Sequence, residues 1–80
     1  MNIKILGTGC PKCHKLAELV KEVIAEMELD AEVEEVEELT KILEYPILTT
    51  PGLVIDEKVA LSGQVPSKEK LAEMFRNAAA

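Results

Sequence analysis

Eighty residues, 48% apolar and 30% charged, describe one folded domain over 1–80, with a core small enough to leave room for a single site. Fifteen carboxylates against nine Lys and Arg leave a net charge of −6, and Arg76 is the sole guanidinium, so neither a phosphate backbone nor an anionic membrane finds enough cations to bind. Nucleic acid and membrane are therefore not expected as partners. The run Met1 to Leu6 is broken by Lys4 and stops at Gly7, too short for a signal-peptide core or a spanning helix, and a cytoplasmic protein is expected. Thiols are held reduced there, so the two cysteines point to catalysis or metal binding rather than to a structural staple.

The first strand candidate is 2–6 (NIKIL), followed by a turn at Gly7-Thr8-Gly9. Apolar residues then recur at Leu16, Leu19, Val20, Val23, Ile24 and Met27, the i, i+3, i+4, i+7 repeat of a helix burying one stripe. This helix is predicted to begin near Cys10, because Pro11 presets a helical φ and its missing N–H has no intrahelical partner in a first turn. Residues 31–36 (AEVEEV) make a weak strand whose glutamates suit a sheet edge, and the carboxylates of 32–38 read as a solvated face. Leu39, Ile42 and Leu43 mark a short helix that Pro46 ends. Two apolar strands, 52–55 and 58–61, meet at Asp56-Glu57 and read as a hairpin. Ser67 caps a last helix with Leu71, Met74 and Phe75 on its inner face, which completes the order βαβαββα.

That order sets Cys10 where a strand end meets a helix N-terminus. Unpaired N–H groups and partial positive charge favour an anion there, so the thiolate gains over the thiol. Cys10 is predicted to be the nucleophile, with Lys12 adding a cation, and Cys13, one turn further in, to be more buried and to resolve a mixed disulfide. A helical spacing of three brings both sulfurs to one face, so oxidation closes a small ring without unfolding the helix.

Other uses of the pair compete. As a structural staple it closes the shortest kind of loop, worth roughly 2 kcal/mol by chain entropy. A structural zinc site needs four ligands, and beyond the cysteines the chain offers only His14 and scattered carboxylates. A soft-metal carrier or sensor without turnover is the main alternative, because two thiolates suit Cu(I) or zinc. Copper-chaperone domains, however, run βαββαβ and end on a strand, whereas this chain ends on a helix. His14 pairs with neither carboxylate nor obvious partner and reads as a solvent-facing first-turn residue. No cofactor is expected.

A second stretch bears on these readings. Thr49-Thr50-Pro51 precedes the strand Gly52-Leu53-Val54-Ile55, and by itself Pro51 reads as a strand-edge residue without a ladder donor. Combined with Cys-X-X-Cys and βαβαββα, it resembles the thioredoxin fold, and its Thr-X-Pro form resembles the glutaredoxin variant. Most similar are the very small redox-active disulfide proteins of archaea and bacteria, through Gly9-Cys10-Pro11-Lys12-Cys13 and Thr50-Pro51-Gly52-Leu53-Val54-Ile55-Asp56. The resemblance implies an α/β thioredoxin-like fold, a four-stranded mixed sheet with helices on both faces, and a cis-proline loop opposite the cysteines. It also implies a dithiol–disulfide oxidoreductase, with Cys10 attacking and Cys13 resolving. Pro11, Lys12, Thr50 and Pro51 would border the substrate, the Thr50 backbone pairing with an extended segment of it. The implied partners are disulfide-containing proteins and a protein reductase or dithiol donor, and a monomer is expected. Lys4 stands roughly where thioredoxins carry a buried aspartate. The segment 62–67 (SGQVPS) lacks the acidic residue with which glutaredoxins hold the glutathione ammonium, so glutathione is not expected as the donor.

Overall fold

The computed structural model describes residues 1–47 and 49–79. Its elements are β1 (Asn2–Leu6), α1 (Pro11–Met27), β2 (Glu32–Val36), α2 (Leu39–Ile42), β3 (Gly52–Ile55), β4 (Lys58–Ser62) and α3 (Lys68–Ala79), in the predicted order. One sheet runs β2-β1-β3-β4, with β1 parallel to β2 and antiparallel to β3, and β3 antiparallel to β4. The sheet is therefore mixed, and the glutamate-rich β2 lies at an edge as expected. Among the described residues no helix is long and apolar enough to cross a membrane.

Alternation along β1 decides what covers each face. Ile3 and Ile5, with Leu53 and Ile55 beside them, face α1 and α3 and pack with Leu16, Val20, Leu71 and Phe75. Leu6 and Val54 point the other way and pack with Val36 and Ile42 beneath α2. Phe75 and Leu71 are fully buried, each contributing roughly 1.5–3 kcal/mol, which is what docks an otherwise charged last helix. Lys70 N–H donates to Ser67 Oγ at 3.2 Å, so Ser67 caps α3 as the sequence indicates. The α2 helix is a single turn with one inward position: Ile42 is buried, whereas Leu39 and Leu43 are 59% and 71% exposed.

The end of α1 is made without glycine. Glu28 adopts φ 53° and donates to Ala25 O at 3.3 Å, and Leu29 N–H donates to Ile24 O at 3.1 Å, the paired bonds of a Schellman motif. Ile24 and Leu29 pack on the same core, which holds the motif closed.

The hairpin turn also uses left-handed backbone at non-glycine residues, Asp56 (φ 48°) and Glu57 (φ 67°), as a two-residue loop of the I′ type demands. Bonds to β1 offset the cost. Asp56 Oδ1 accepts the Asn2 N–H at 2.8 Å, and Asp56 N–H donates to Asn2 O at 2.7 Å. Lys4 Nζ donates to Glu57 Oε1 at 2.7 Å and to Tyr45 OH at 2.9 Å, while Tyr45 OH donates to Glu57 Oε2 at 3.1 Å. Three distant parts of the chain meet in this cluster. The hydrogen bonds from Lys4 and then Tyr45 hold the Glu57 carboxyl below its ordinary 4.5, and those with Glu57 and then Tyr45 raise Lys4 above its ordinary 10.5.

Both shifts oppose loss of charge on folding, so the tie is fully present between those two ordinary values. Glu57's share disappears as pH falls through its lowered folded value, and Lys4's as pH climbs through its raised one. Glu57→Gln is expected to lower the thermal midpoint near neutrality, with the gap to the wild type closing as acidification passes below the ordinary carboxylate range. Parallel melts at several pH values measure that gap.

Candidate active site

Gly7 extends β1 by donating its N–H to Val36 O at 3.0 Å, after which the chain turns through Thr8 and Gly9 (φ 88°) into α1. Cys10 is extended (φ −71°, ψ 160°) and caps that helix. Its Sγ accepts the Cys13 N–H at 3.1 Å, and its carbonyl accepts the His14 N–H at 3.1 Å. A sulfur thus takes the place usually held by a Ser or Asp oxygen. Cys10 and Cys13 are joined in a disulfide with Cα atoms 5.0 Å apart. Cys10 is half-buried and Cys13 only 5% exposed, the order that one further helical turn imposes. No acidic residue lies in the first turn of α1 to counter its positive end, and Pro11 and Lys12 are exposed beside the sulfurs.

Cys13 rests on bare backbone. A Cβ at Gly7 would overlap Cys13 Sγ and come within 2.9 Å of Cys13 Cβ. Residue 7 must therefore be glycine for reasons of space.

The other half of the site lies at the adjoining strand end. Leu6 is registered with Gly52, so Gly7 and Pro51 follow as neighbours across the β1–β3 ladder. The Thr50–Pro51 peptide is cis, the isomer that the resemblance implies, and Pro51 is buried while Thr49 and Thr50 are exposed. Gly63 N–H donates to Pro51 O at 2.7 Å, and Ser62 Oγ donates to Thr49 O at 3.2 Å. Gly63 has φ 75°, and a Cβ there would overlap Thr49 Oγ1.

Cys10, Pro11, Lys12 and Cys13 at the start of α1 and Thr50-Pro51 at the start of β3 therefore share one end of the sheet. Lys4 does not join them, since its side chain is turned to the α2 face. His14 is exposed but lines, with Cys13, Glu35 and Glu37, a crevice of about 10 Å³ above Ile5 and Gly7. Sequence reasoning missed the two glutamates. Their signal was positional, since Glu35 is registered with Ile5 on the α1 face and Glu37 continues that alternate row. Among the described residues no group of three or more His, Cys, Asp or Glu side chains is placed to hold a metal ion. A groove of about 470 Å³ between the hairpin and α3 lies at the opposite end of β3, lined by residues such as Lys58, Met74 and Asn77.

A disulfide at a helix N-terminus beside a cis-proline, on this sheet, defines a thioredoxin-like dithiol–disulfide site. The family described as thioredoxin domain matches residues 1–76, and the chain belongs to that family. It is similar to two proteins named thioredoxin from Methanocaldococcus jannaschii. One is 37% identical over 75 residues, covering 94% of this chain and 86% of the relative, and the other 37% identical over 70 residues, covering 84% and 81%. A thioredoxin of Methanothermobacter thermautotrophicus is 38% identical over 75 residues, covering 94% of this chain and 97% of the relative. By family and by site the chain is a thiol–disulfide oxidoreductase.

Gly7→Ala is expected to destabilise the protein by about 1–3 kcal/mol, the ordinary cost of overpacking, and to push the first turn of α1 off the sheet. Urea unfolding measures the first effect. Faster alkylation of Cys13 in the reduced Cys10→Ser background measures the second.

Proposed function

We propose that this protein reduces or exchanges disulfides of other proteins through Cys10-Pro11-Lys12-Cys13, acting as a cytoplasmic monomer. The observation that carries the reading is the pairing of a half-exposed Cys10 at the cap of α1 with a buried Cys13, next to the cis Thr50–Pro51 segment. In the reduced protein the helix N-terminus and Lys12 favour the Cys10 thiolate. Cys10 attacks a substrate disulfide, forming a mixed disulfide and releasing one substrate thiolate. Cys13 then loses its proton and attacks Cys10 Sγ, closing the Cys10–Cys13 bond and releasing the second thiolate. Two electrons pass from the dithiol to the substrate. Exposed Thr50 at the sheet end offers its backbone to an extended substrate segment, and Pro11 and Lys12 border the same approach. A net charge of −6, with carboxylates along the β2 edge, opposes sheet-to-sheet pairing of two copies and so supports the monomer.

Incubation with excess protein disulfide tests the division of labour. Cys13→Ser is expected to accumulate a mixed disulfide visible by intact-mass spectrometry, and Cys10→Ser to accumulate almost none. Equal trapping by both would remove the assignment.

The donor is proposed to be a protein dithiol or a reductase. Glutathione carries an ammonium that needs an acceptor, and 62–67 offers no carboxylate, while the net charge opposes the approach of an anionic peptide. With glutathione and glutathione reductase, turnover is expected to be at least about tenfold slower than with a dithiol donor matched in reducing equivalents. Saturable glutathione kinetics at comparable rates would contradict this.

A further inference from the structure

A proline at the entrance of β3 leaves the β3–β4 ladder short of a bond. Gly52 is registered with Ser62, which places Pro51 opposite Gly63. Gly63 N–H donates to Pro51 O at 2.7 Å, but proline has no N–H with which to return the bond, so this pair is held from one side only. The preceding residues, Thr49 and Thr50, lie outside every strand, and no ladder sets their conformation.

Ser62 supplies with its side chain what the ladder lacks. Its Oγ donates to Thr49 O at 3.2 Å and accepts the Thr49 N–H at 3.4 Å, using the donor and one lone pair of a single hydroxyl. Thr49 Oγ1 in turn lies so close over Gly63 that a Cβ on that glycine would overlap it. Thr50 is therefore bracketed, with Thr49 fastened by Ser62 Oγ on one side and Pro51 by the Gly63 N–H on the other. From this bracket we propose that Ser62 is a positioning residue for disulfide exchange, its hydroxyl holding Thr49 so that the Thr50 backbone meets an extended polypeptide substrate in one fixed orientation. The inference rests on the protein-disulfide function proposed above and assigns the group that fixes its docking segment.

The hydroxyl is the requirement, because one atom must both donate and accept. Alanine does neither, and valine has the shape of threonine without its oxygen. Ser62 stands apart from the sulfurs: it belongs to β4, and β3 lies between it and β1, whose end supplies the Gly7 backbone under Cys13. Its loss therefore falls on the binding of a polypeptide and not on the exchange of sulfur bonds. A small disulfide without a peptide backbone reaches Cys10 with no use for Thr50.

The test compares the full chain and its variants on insulin, a polypeptide disulfide reduced with dithiothreitol as donor, and on dithiobis-nitrobenzoate, which has no peptide backbone. Ser62→Ala is expected to raise KM for insulin by about three- to tenfold, the net weight of a hydrogen bond, with kcat nearly unchanged. Its rate with dithiobis-nitrobenzoate is expected to match that of the wild type. Ser62→Thr should bring KM back towards the wild-type value and Ser62→Val should not, and this pair carries the comparison if Ser62→Ala fails to fold. An insulin KM unchanged in Ser62→Ala and Ser62→Val, an equal loss on both substrates, or equal KM values in Ser62→Thr and Ser62→Val overturns the positioning role while leaving the proposed function intact. A wild type that reduces dithiobis-nitrobenzoate but not insulin would overturn both.

Discussion

Cys13 lies against the backbone of Gly7 with no space for a methyl group between them, and most of the site follows from that contact. It sets the height of the first turn of α1 over the sheet, and with it the position of Cys10 at the cap. Gly7 is itself held on both sides: its N–H reaches Val36 O in β2, and it follows Leu6, which is registered with Gly52 in β3. One close approach therefore fixes the cysteines relative to β2 and to the cis-proline segment together. Further along α1, Leu16 and Val20 bury against Ile3 and Ile5, so the rest of the helix cannot tilt to relieve it.

The glutamates of β2 illustrate how one strand serves two faces. Glu34 is registered with Lys4 and Glu35 with Ile5, so successive carboxylates stand on opposite sides of the sheet at a solvated edge. The central strand keeps its α1 face apolar and places its single cation on the other. Charge at the cysteine end therefore comes from the start of α1 and from beyond the end of β2.

Much of this was legible in the sequence because it is local. The β1 and β3 boundaries, the helix start at Cys10-Pro11, the Ser67 cap and the hairpin at Asp56-Glu57 each follow from propensity, capping or alternation within a few residues. The relative burial of the two cysteines follows from helical spacing. What escaped depends on contacts between distant segments. The Lys4–Tyr45–Glu57 cluster joins three separate stretches, and only that cluster and the Asp56 bonds to Asn2 explain why left-handed backbone falls on Asp and Glu. Nothing near Glu28 announced a left-handed cap without glycine. The exposure of Leu39 and Leu43 came from α2 being too short to present a stripe. The isomer of Pro51 came from the family resemblance alone, since either isomer fits a strand entrance.

The two halves of the site stand on layers of very different depth. The cysteines belong to a helix of 17 residues packed with α3 across one face, whereas the chain leading to Thr50-Pro51 comes off a single helical turn that buries only Ile42. Opening free energy scales with buried contact, so the helix that carries the sulfurs is the more deeply anchored layer and α2 the less. The reacting sulfurs therefore keep their geometry independently of how firmly α2 packs. In this fold, the deep anchoring of the cysteines and the shallow anchoring of α2 are assigned to opposite faces of the same four strands.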